Sequence, residues 1–381
     1  MENFEILACS AAGVEAVTKR ELFKLGYGDA PASFGRISFN GTLKDVLMCN
    51  VNLRTADRIL IKIAQFSALT FDDLFEGVKA VCWKDFMSAD QRVVVAAKSV
   101  NSKLFAVSAI QSLAKKAIAE NLQKAFGLNR LSESGSEMKV EVSLKDDVAT
   151  VCIDTSGAGL HKRGYRDLVG SAPLKETLAA AIIMLSVWNP DRPFVDLFCG
   201  SGTLPIEAAM IGLNMAPSLN RDFAVCNWKF FDKKIFDEVR EEALSKICDR
   251  ELSIAGYDID KSAVSQAMRH MRRCGLEGKI HFQQRDFKDF SSKKKYGVII
   301  SNPPYGERLC SQKEVRELYS SLGKKFEELD TWSMGIITSY YDFERALGKK
   351  ADKNRKLFNS NLECRFFQYL GPKPQQAKIQ E

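Results

Sequence analysis

Asn302, Pro303, Pro304 and Tyr305 follow directly on the apolar run Val298-Ile299-Ile300-Ser301. Two consecutive prolines stiffen the backbone and delete two N–H donors, so carbonyl oxygens dominate the polar surface of the turn. The side-chain oxygen of Asn302 and the carbonyl of Pro303 can then point together at a planar exocyclic amine and accept both of its hydrogens. Tyr305 supplies a flat face on which a base can stack. The chemistry that needs this arrangement is methylation of a nucleobase amine. Such a nitrogen is a poor nucleophile because its lone pair is delocalised into the ring. Two acceptors on its N–H bonds favour a pyramidal nitrogen, aim the lone pair at an electrophilic methyl and stabilise the positive charge that develops. The competing reading is a rigid proline turn without chemistry.

A second constellation lies upstream. Residues 194–198, ending in Asp196, Leu197 and Phe198, run into Cys199, Gly200, Ser201, Gly202 and Thr203. A strand feeding a Gly-X-Gly turn at a helix start lets backbone N–H groups approach a ligand. It lacks the third glycine of the dinucleotide fingerprint and the Lys of a P-loop, so a structural tight turn explains the same residues. Asp258, with Ile259 after it, closes another strand, where a carboxylate can accept from ribose hydroxyls. Asp286 and Phe287 follow a third strand, where an acid and an aromatic can meet an adenine. Helix capping accounts for Asp260 and is the alternative for Asp286.

The elements that must carry these residues alternate. From about residue 173, short apolar runs at 194–198, 253–258, 279–283, 298–301 and 334–338 are mostly separated by helix-length segments, which predicts a parallel, doubly wound sheet. A further strand is expected at 364–370, with a frayed tail beyond Pro372. The first 155 residues read differently. Strands at 4–9, 35–39 and 57–66, with helices at 13–25 and 42–50, form a ferredoxin-like α+β unit. Residues 67–155 form a second unit, with helices at 69–81 and 108–126, a strand at 92–97 and a hairpin of strands 139–145 and 148–154 turning at Asp146 and Asp147. Residues 156–172 read as a linker or functional loop.

A length of 381 residues fits two or three domains, and 45% hydrophobic with 27% charged residues excludes a disordered or fibrous chain. The net charge of +7 is unevenly placed. Residues 1–155 carry 19 Lys and Arg against 19 Asp and Glu, so the whole excess falls on 156–381. Ten cysteines and three histidines form no zinc spacing, so no metal is expected. No signal peptide and no apolar run of membrane-spanning length are present, which points to a cytoplasmic protein with reduced thiols and no membrane partner.

The stretch from Asp196 to Thr203, with Asp258, Asp286 and the motif from Asn302 to Arg308, resembles class I S-adenosylmethionine-dependent amino-methyltransferases. Residues 159–166 (Gly-Leu-His-Lys-Arg-Gly-Tyr-Arg) and 172–179 (Ala-Pro-Leu-Lys-Glu-Thr-Leu-Ala) are similar to a narrower group, the THUMP-domain RNA guanine-N2 methyltransferases of the bacterial large-subunit rRNA type. Members are often labelled N6-adenine DNA methylases because the Asn-Pro-Pro-Tyr motif is shared. The resemblance covers nearly the whole chain. It implies a Rossmann-like class I methyltransferase domain at 173–381, preceded by the α+β ferredoxin-like/THUMP region. It implies S-adenosyl-L-methionine as cofactor, with Asp196, Gly200 and Gly202 on the methionine side, Asp258 at the ribose, Asp286 and Phe287 at the adenine, and Phe198, Ser201, Thr203 and Ile259 also in the cofactor site. Asn302, Pro303, Pro304 and Tyr305 would hold the target base, and Asn302 would also adjoin the cofactor. RNA, with large-subunit rRNA foremost, is the implied partner.

Basic segments suggest where RNA would run. His161, Lys162, Arg163, Tyr165 and Arg166 mix cations with an aromatic, which suits phosphate contact plus stacking and equally suits a solvated linker. Arg308 stands beside the acceptor motif, within reach of a phosphate. Lys349, Lys350, Lys353, Arg355 and Lys356 put five cations into eight residues, an expected backbone contact flanking the catalytic face. The reading is therefore an RNA guanine-N2 methyltransferase. Its rivals are an adenine-N6 DNA enzyme, a tRNA enzyme, and a catalytically silent RNA-binding or ribosome-assembly factor, which would need neither the glycine turn nor Asn302.

Overall fold

The computed structural model describes residues 3–28, 30–33, 35–166, 174–229, 231–305 and 312–374. The chain packs as two units. The first holds Met1–Ser10, Leu22–Leu160 and Ser218–Glu242, and the second holds Ala11–Glu21, His161–Pro217 and Ala243–Glu381.

Through the first half the chain runs β1 (Phe4–Ser10), α1 (Glu15–Lys24), β2 (Ala32–Ser33), β3 (Arg36–Gly41), α2 (Leu43–Asn52), β4 (Ala56–Ser67), α3 (Phe71–Lys79), β5 (Arg92–Val100), α4 (Val107–Phe126), β6 (Glu137–Lys145) and β7 (Val148–Asp154). Helices α2 and α3 start at reciprocal caps, Thr42 with Asp45 and Thr70 with Asp73, which satisfy N–H groups that the first turn leaves unpaired. The β6–β7 turn takes positive φ at both Asp146 and Asp147, the geometry whose twist matches a two-residue hairpin. Strand periodicity identifies these elements but not their partners. β4 pairs with β1 on one side and β7 on the other, so the two predicted α+β units share one seven-stranded sheet, β2-β3-β1-β4-β7-β6-β5. Across it run the ion pairs Arg36–Glu141, Arg58–Asp154, Lys62–Glu5, Lys98–Glu141 and Lys139–Asp154. Four of these pairs join neighbouring strands, while Arg36 on β3 reaches Glu141 on β6 across the intervening strands.

The second half continues with α5 (Glu176–Leu185), β8 (Phe194–Asp196), α6 (Thr203–Gly212), α7 (Lys233–Ser245), β9 (Ile254–Asp258), α8 (Lys261–Arg273), β10 (His281–Gln284), β11 (Val298–Ser301), α9 (Gln312–Glu327), β12 (Ser333–Thr338), α10 (Phe343–Leu347), β13 (Lys353–Asn359) and β14 (Leu362–Tyr369). The sheet order is β10-β9-β8-β11-β12-β14-β13. It is parallel from β10 to β12, with β14 antiparallel to both its neighbours. Both faces are covered, which is why the strands read as unbroken apolar runs. Phe194, Val298 and Ile300 face one core with α5, α6 and α8, while Val195, Ile299 and Ile336 face the other with α9 and α10. β13 was not expected as a strand. Its cations disguise it, and an edge strand tolerates charge because only one side pairs.

Candidate active site

Strand order reverses between β8 and β11, and the crevice beyond the carboxyl ends of those strands is where open α/β sheets place ligands. β8 ends at Asp196 and β11 at Ser301, so the glycine turn and the Asn302 loop leave the sheet side by side. Ser301, fully buried, joins them. Its hydroxyl accepts from the Leu197 N–H at 2.9 Å and donates to the Asp196 carboxylate. Burial pushes the Asp196 carboxyl up to about 7, and the Asp258 charge adds to that. The hydrogen bonds from Ser301 and the Phe198 N–H pull the other way.

Gly200 and Gly202 both take left-handed φ, +50° and +87°. A Cβ on Gly202 would sit 2.9 Å from the Cβ of Ala267 on α8, so glycine there permits close helix packing. A Cβ on Gly200 would meet nothing within 4 Å, so the space above it is open. The Gly200 N–H donates to Asp258 Oδ2 at 2.8 Å and the Asp260 N–H to Oδ1 at 3.0 Å, which leaves each carboxylate oxygen a further lone pair. His270 on α8 is 1% exposed and its Nδ1 lies 3.0 Å from the Ser201 carbonyl, bracing the turn from below. Ile259 is 68% exposed, an apolar side chain left uncovered at the strand end.

Asp260 caps α8, as its position suggested, accepting from Ser262 N–H at 2.8 Å. Asp286 is also a cap: its Oδ1 accepts from Lys288 N–H at 2.9 Å. Phe287 is buried, with its ring centroid 5.0 Å from that of Phe198, so it is a wall of the site rather than an open stacking face.

The acceptor loop is held from behind. Tyr319 on α9 is fully buried, and its hydroxyl donates to the Pro304 carbonyl at 3.0 Å. The same oxygen lies 2.9 Å from Thr338 Oγ1, at the end of β12, which accepts from Tyr340 N–H at 3.1 Å. This fixes the Pro304 carbonyl. Sequence reasoning missed Ser301, Tyr319, Thr338 and His270. Only Ser301 gave a signal, as the one polar residue of an apolar strand.

Several basic residues expected at RNA stand elsewhere. Arg163 is buried and forms a two-pronged pair with Glu207 on α6, Nε to Oε1 at 3.1 Å and Nη2 to Oε2 at 3.3 Å. Tyr165 is 3% exposed inside the core. Arg166 donates to Thr203 and pairs with Glu176 at 3.3 Å. The two arginines are internal to the unit because α6 and α5 present buried carboxylates that need cations, and Tyr165 packs with the apolar core. His161 is half-buried, and Lys162 is exposed. In the second basic run, Lys349 passes its carbonyl to the Tyr369 hydroxyl, and Lys353 pairs in register with Gln368 on β14, level with Ile300 but three strands away from β11 on the edge of the sheet. Lys350 is exposed beside Lys349. Arg355 donates to the Gly13 carbonyl and Lys356 pairs with Glu363. The run does not gather at the acceptor loop. Arg308 lies outside the described residues. Among those residues, no group of three or more metal-ligating side chains occurs, and no helix is long and apolar enough to cross a membrane.

A switch-point crevice flanked by a glycine turn at the end of one strand and an Asn-Pro-Pro-Tyr loop at the end of its neighbour suits a methyltransferase, and the chain belongs to that class. Residues 163–368 match the UPF0020 family, described as an RMKL-like methyltransferase domain; residues 5–60 match the RlmL ferredoxin-like domain and 68–154 the THUMP domain. The chain is 44% identical over 384 residues to YpsC of Bacillus subtilis (strain 168), named for RNA methylation, with all of both chains covered. It is 46% identical to SMU.472, whose crystal structure as a methyltransferase is complexed with SAH, at a TM-score of 0.91 over 98% of this chain and 100% of that one. A Listeria monocytogenes (str. 4b F2365) protein named for N6-adenine-specific DNA methylation is 44% identical, with a TM-score of 0.92 over 98% and 97% of the two chains.

The residues present fit S-adenosylmethionine. Open space over Gly200 suits close approach of a ligand, Asp258 keeps lone pairs for hydroxyls, and exposed Ile259 offers an apolar surface to a flat ring.

Proposed function

We propose that this methyltransferase uses S-adenosylmethionine to methylate the N2 amine of a guanosine in structured RNA, specifically large-subunit rRNA. The observation that carries the reading is the Ser301 bridge. One buried hydroxyl ties the end of the glycine-turn strand to the residue preceding Asn302, so cofactor side and acceptor side are set by a single hydrogen-bonded unit. S-adenosylmethionine supplies the electrophilic methyl. In this reading Asp196, Phe198 and residues 200–203 border its methionine part, Asp258 and Ile259 its ribose and ring, and Asp286 with Phe287 the far wall. Asn302 and the Pro303 carbonyl accept the two N–H bonds of the target amine, and Tyr305 stacks its ring. Fixed dipoles of this kind stabilise charge as it forms on nitrogen and need no reorganisation. A paired base is out of reach of such a loop, so the guanosine enters unpaired or flipped.

The THUMP match and the name of the Bacillus relative support RNA over DNA. The name of the Listeria relative supports the second reading, adenine N6 in DNA, which the same acceptor pair would serve. Nucleosides from cells lacking the protein separate the two by mass spectrometry. Loss of N2-methylguanosine from large-subunit rRNA is the expected result. Its loss from tRNA alone moves the substrate, and loss of N6-methyladenine from DNA overturns the reading. In the purified enzyme, Asn302→Ala is expected to bind S-adenosylmethionine normally and lose about 10²–10³-fold in turnover; normal turnover refutes the role of Asn302.

A further inference from the structure

Tyr341 is 86% exposed, more than any other large apolar side chain among the described residues. Its place is specific. β12 is the parallel neighbour of β11, with Ser301 in register with Ile336, so the segment after Thr338 leaves the same edge of the sheet as the acceptor loop. Three tyrosines step outward along that edge. Tyr319, fully buried, holds the Pro304 carbonyl. The Tyr340 ring lies 5.5 Å from that of Tyr319, and the Tyr341 ring 5.8 Å from that of Tyr340. The Tyr340 N–H is fixed on Thr338 Oγ1, the same oxygen that faces the Tyr319 hydroxyl. Helix α10 starts two residues beyond Tyr341 and packs Phe343 into the core. The outermost ring is therefore presented from an anchored segment, tied through Tyr319 to the loop that would hold the target amine.

We infer that Tyr341 is a stacking platform for a nucleobase adjacent to the methylated nucleotide. The inference rests on the proposed RNA substrate. A flipped or looped-out nucleotide exposes its neighbours' faces, and an aromatic ring fixed beside the acceptor loop recovers the stacking they lose. Stacking accepts any base, so Tyr341 contributes affinity and register rather than sequence preference. The phenol hydroxyl is dispensable for this; the ring is not.

The test uses the full chain and rRNA isolated from cells lacking the protein. Tyr341→Ala is expected to raise the KM for RNA about 5- to 150-fold, the range found when a stacking aromatic is truncated, with the Kd for S-adenosylmethionine unchanged. Tyr341→Phe restores the wild-type KM, which a structural role for the hydroxyl would not allow. On a synthetic substrate, an abasic site beside the target nucleotide should weaken wild type and leave Tyr341→Ala indifferent. Wild-type protein that transfers no methyl to any RNA removes both the proposed function and this inference. An active wild type with an unchanged KM in Tyr341→Ala removes this inference alone.

Discussion

Glu207→Leu is the sharpest perturbation the structure offers, because it separates two roles for Arg163. Both side chains of the Arg163–Glu207 pair are fully buried, and two N–H···O contacts at 3.1 and 3.3 Å join them. Leucine keeps α6 helical and fills most of the space but takes away the carboxylate bonded to the buried guanidinium. Breaking a buried pair from one side costs about 3–5 kcal/mol. For a unit of this size each kcal/mol moves the midpoint about 2–4 °C, so thermal unfolding should shift down by roughly 6–20 °C. Arg163→Met combined with Glu207→Leu removes both charges at once and should recover most of that loss, since apolar replacements of buried pairs are often neutral or stabilising. Circular dichroism melts of the three proteins, with RNA affinity measured alongside, make the comparison. A Glu207→Leu midpoint equal to wild type refutes the burial argument. A double variant that melts normally but loses RNA affinity refutes the assignment of Arg163 to the interior.

Asp196 makes cofactor-free stability depend on pH. Its folded pKa, about 7, lies above the ordinary carboxylate value, so its contribution is complete below pH 4 and lost as pH rises through 7. Relative to Asp196→Asn, wild type should lose about 1.4 kcal/mol per pH unit between pH 5 and 7 in denaturant titrations, and parallel pH profiles would contradict this. Tyr319→Phe deletes the donor to the Pro304 carbonyl while keeping the ring, and should lower kcat with little change in S-adenosylmethionine Kd; an unchanged kcat would show that the loop holds itself.

Much of the site was legible because its chemistry is written in contiguous residues. A strand, a glycine turn and a helix start are local events, as are two prolines after an apolar strand. Asp260 could be read as a cap from its place before α8. What escaped was every residue acting from another element. Tyr319 lies in the middle of α9, and nothing in its neighbours announces that its hydroxyl reaches Pro304. His270 lies within α8, and nothing near it in sequence announces that its Nδ1 meets the Ser201 carbonyl. Arg163 and Arg166 of the first basic run misled for the complementary reason. Composition reports that a cation exists but not whether a carboxylate on a distant helix has claimed it.

Sequence alone thus determined the class of chemistry and the parallel character of the second sheet, since acceptor groups and apolar periodicity depend on residue types at short spacing. Tertiary structure decided three things that depend on partners far apart in the chain. It joined the two N-terminal α+β units into one sheet through β4. It drew Arg163, Tyr165 and Arg166 inward against α5, α6 and the core. It set Ser301 across from Asp196, because β8 and β11 are neighbours only when the strand order reverses between them. A hydrogen bond or ion pair forms where geometry delivers both groups, and for these residues the geometry is made by the packing of the sheet.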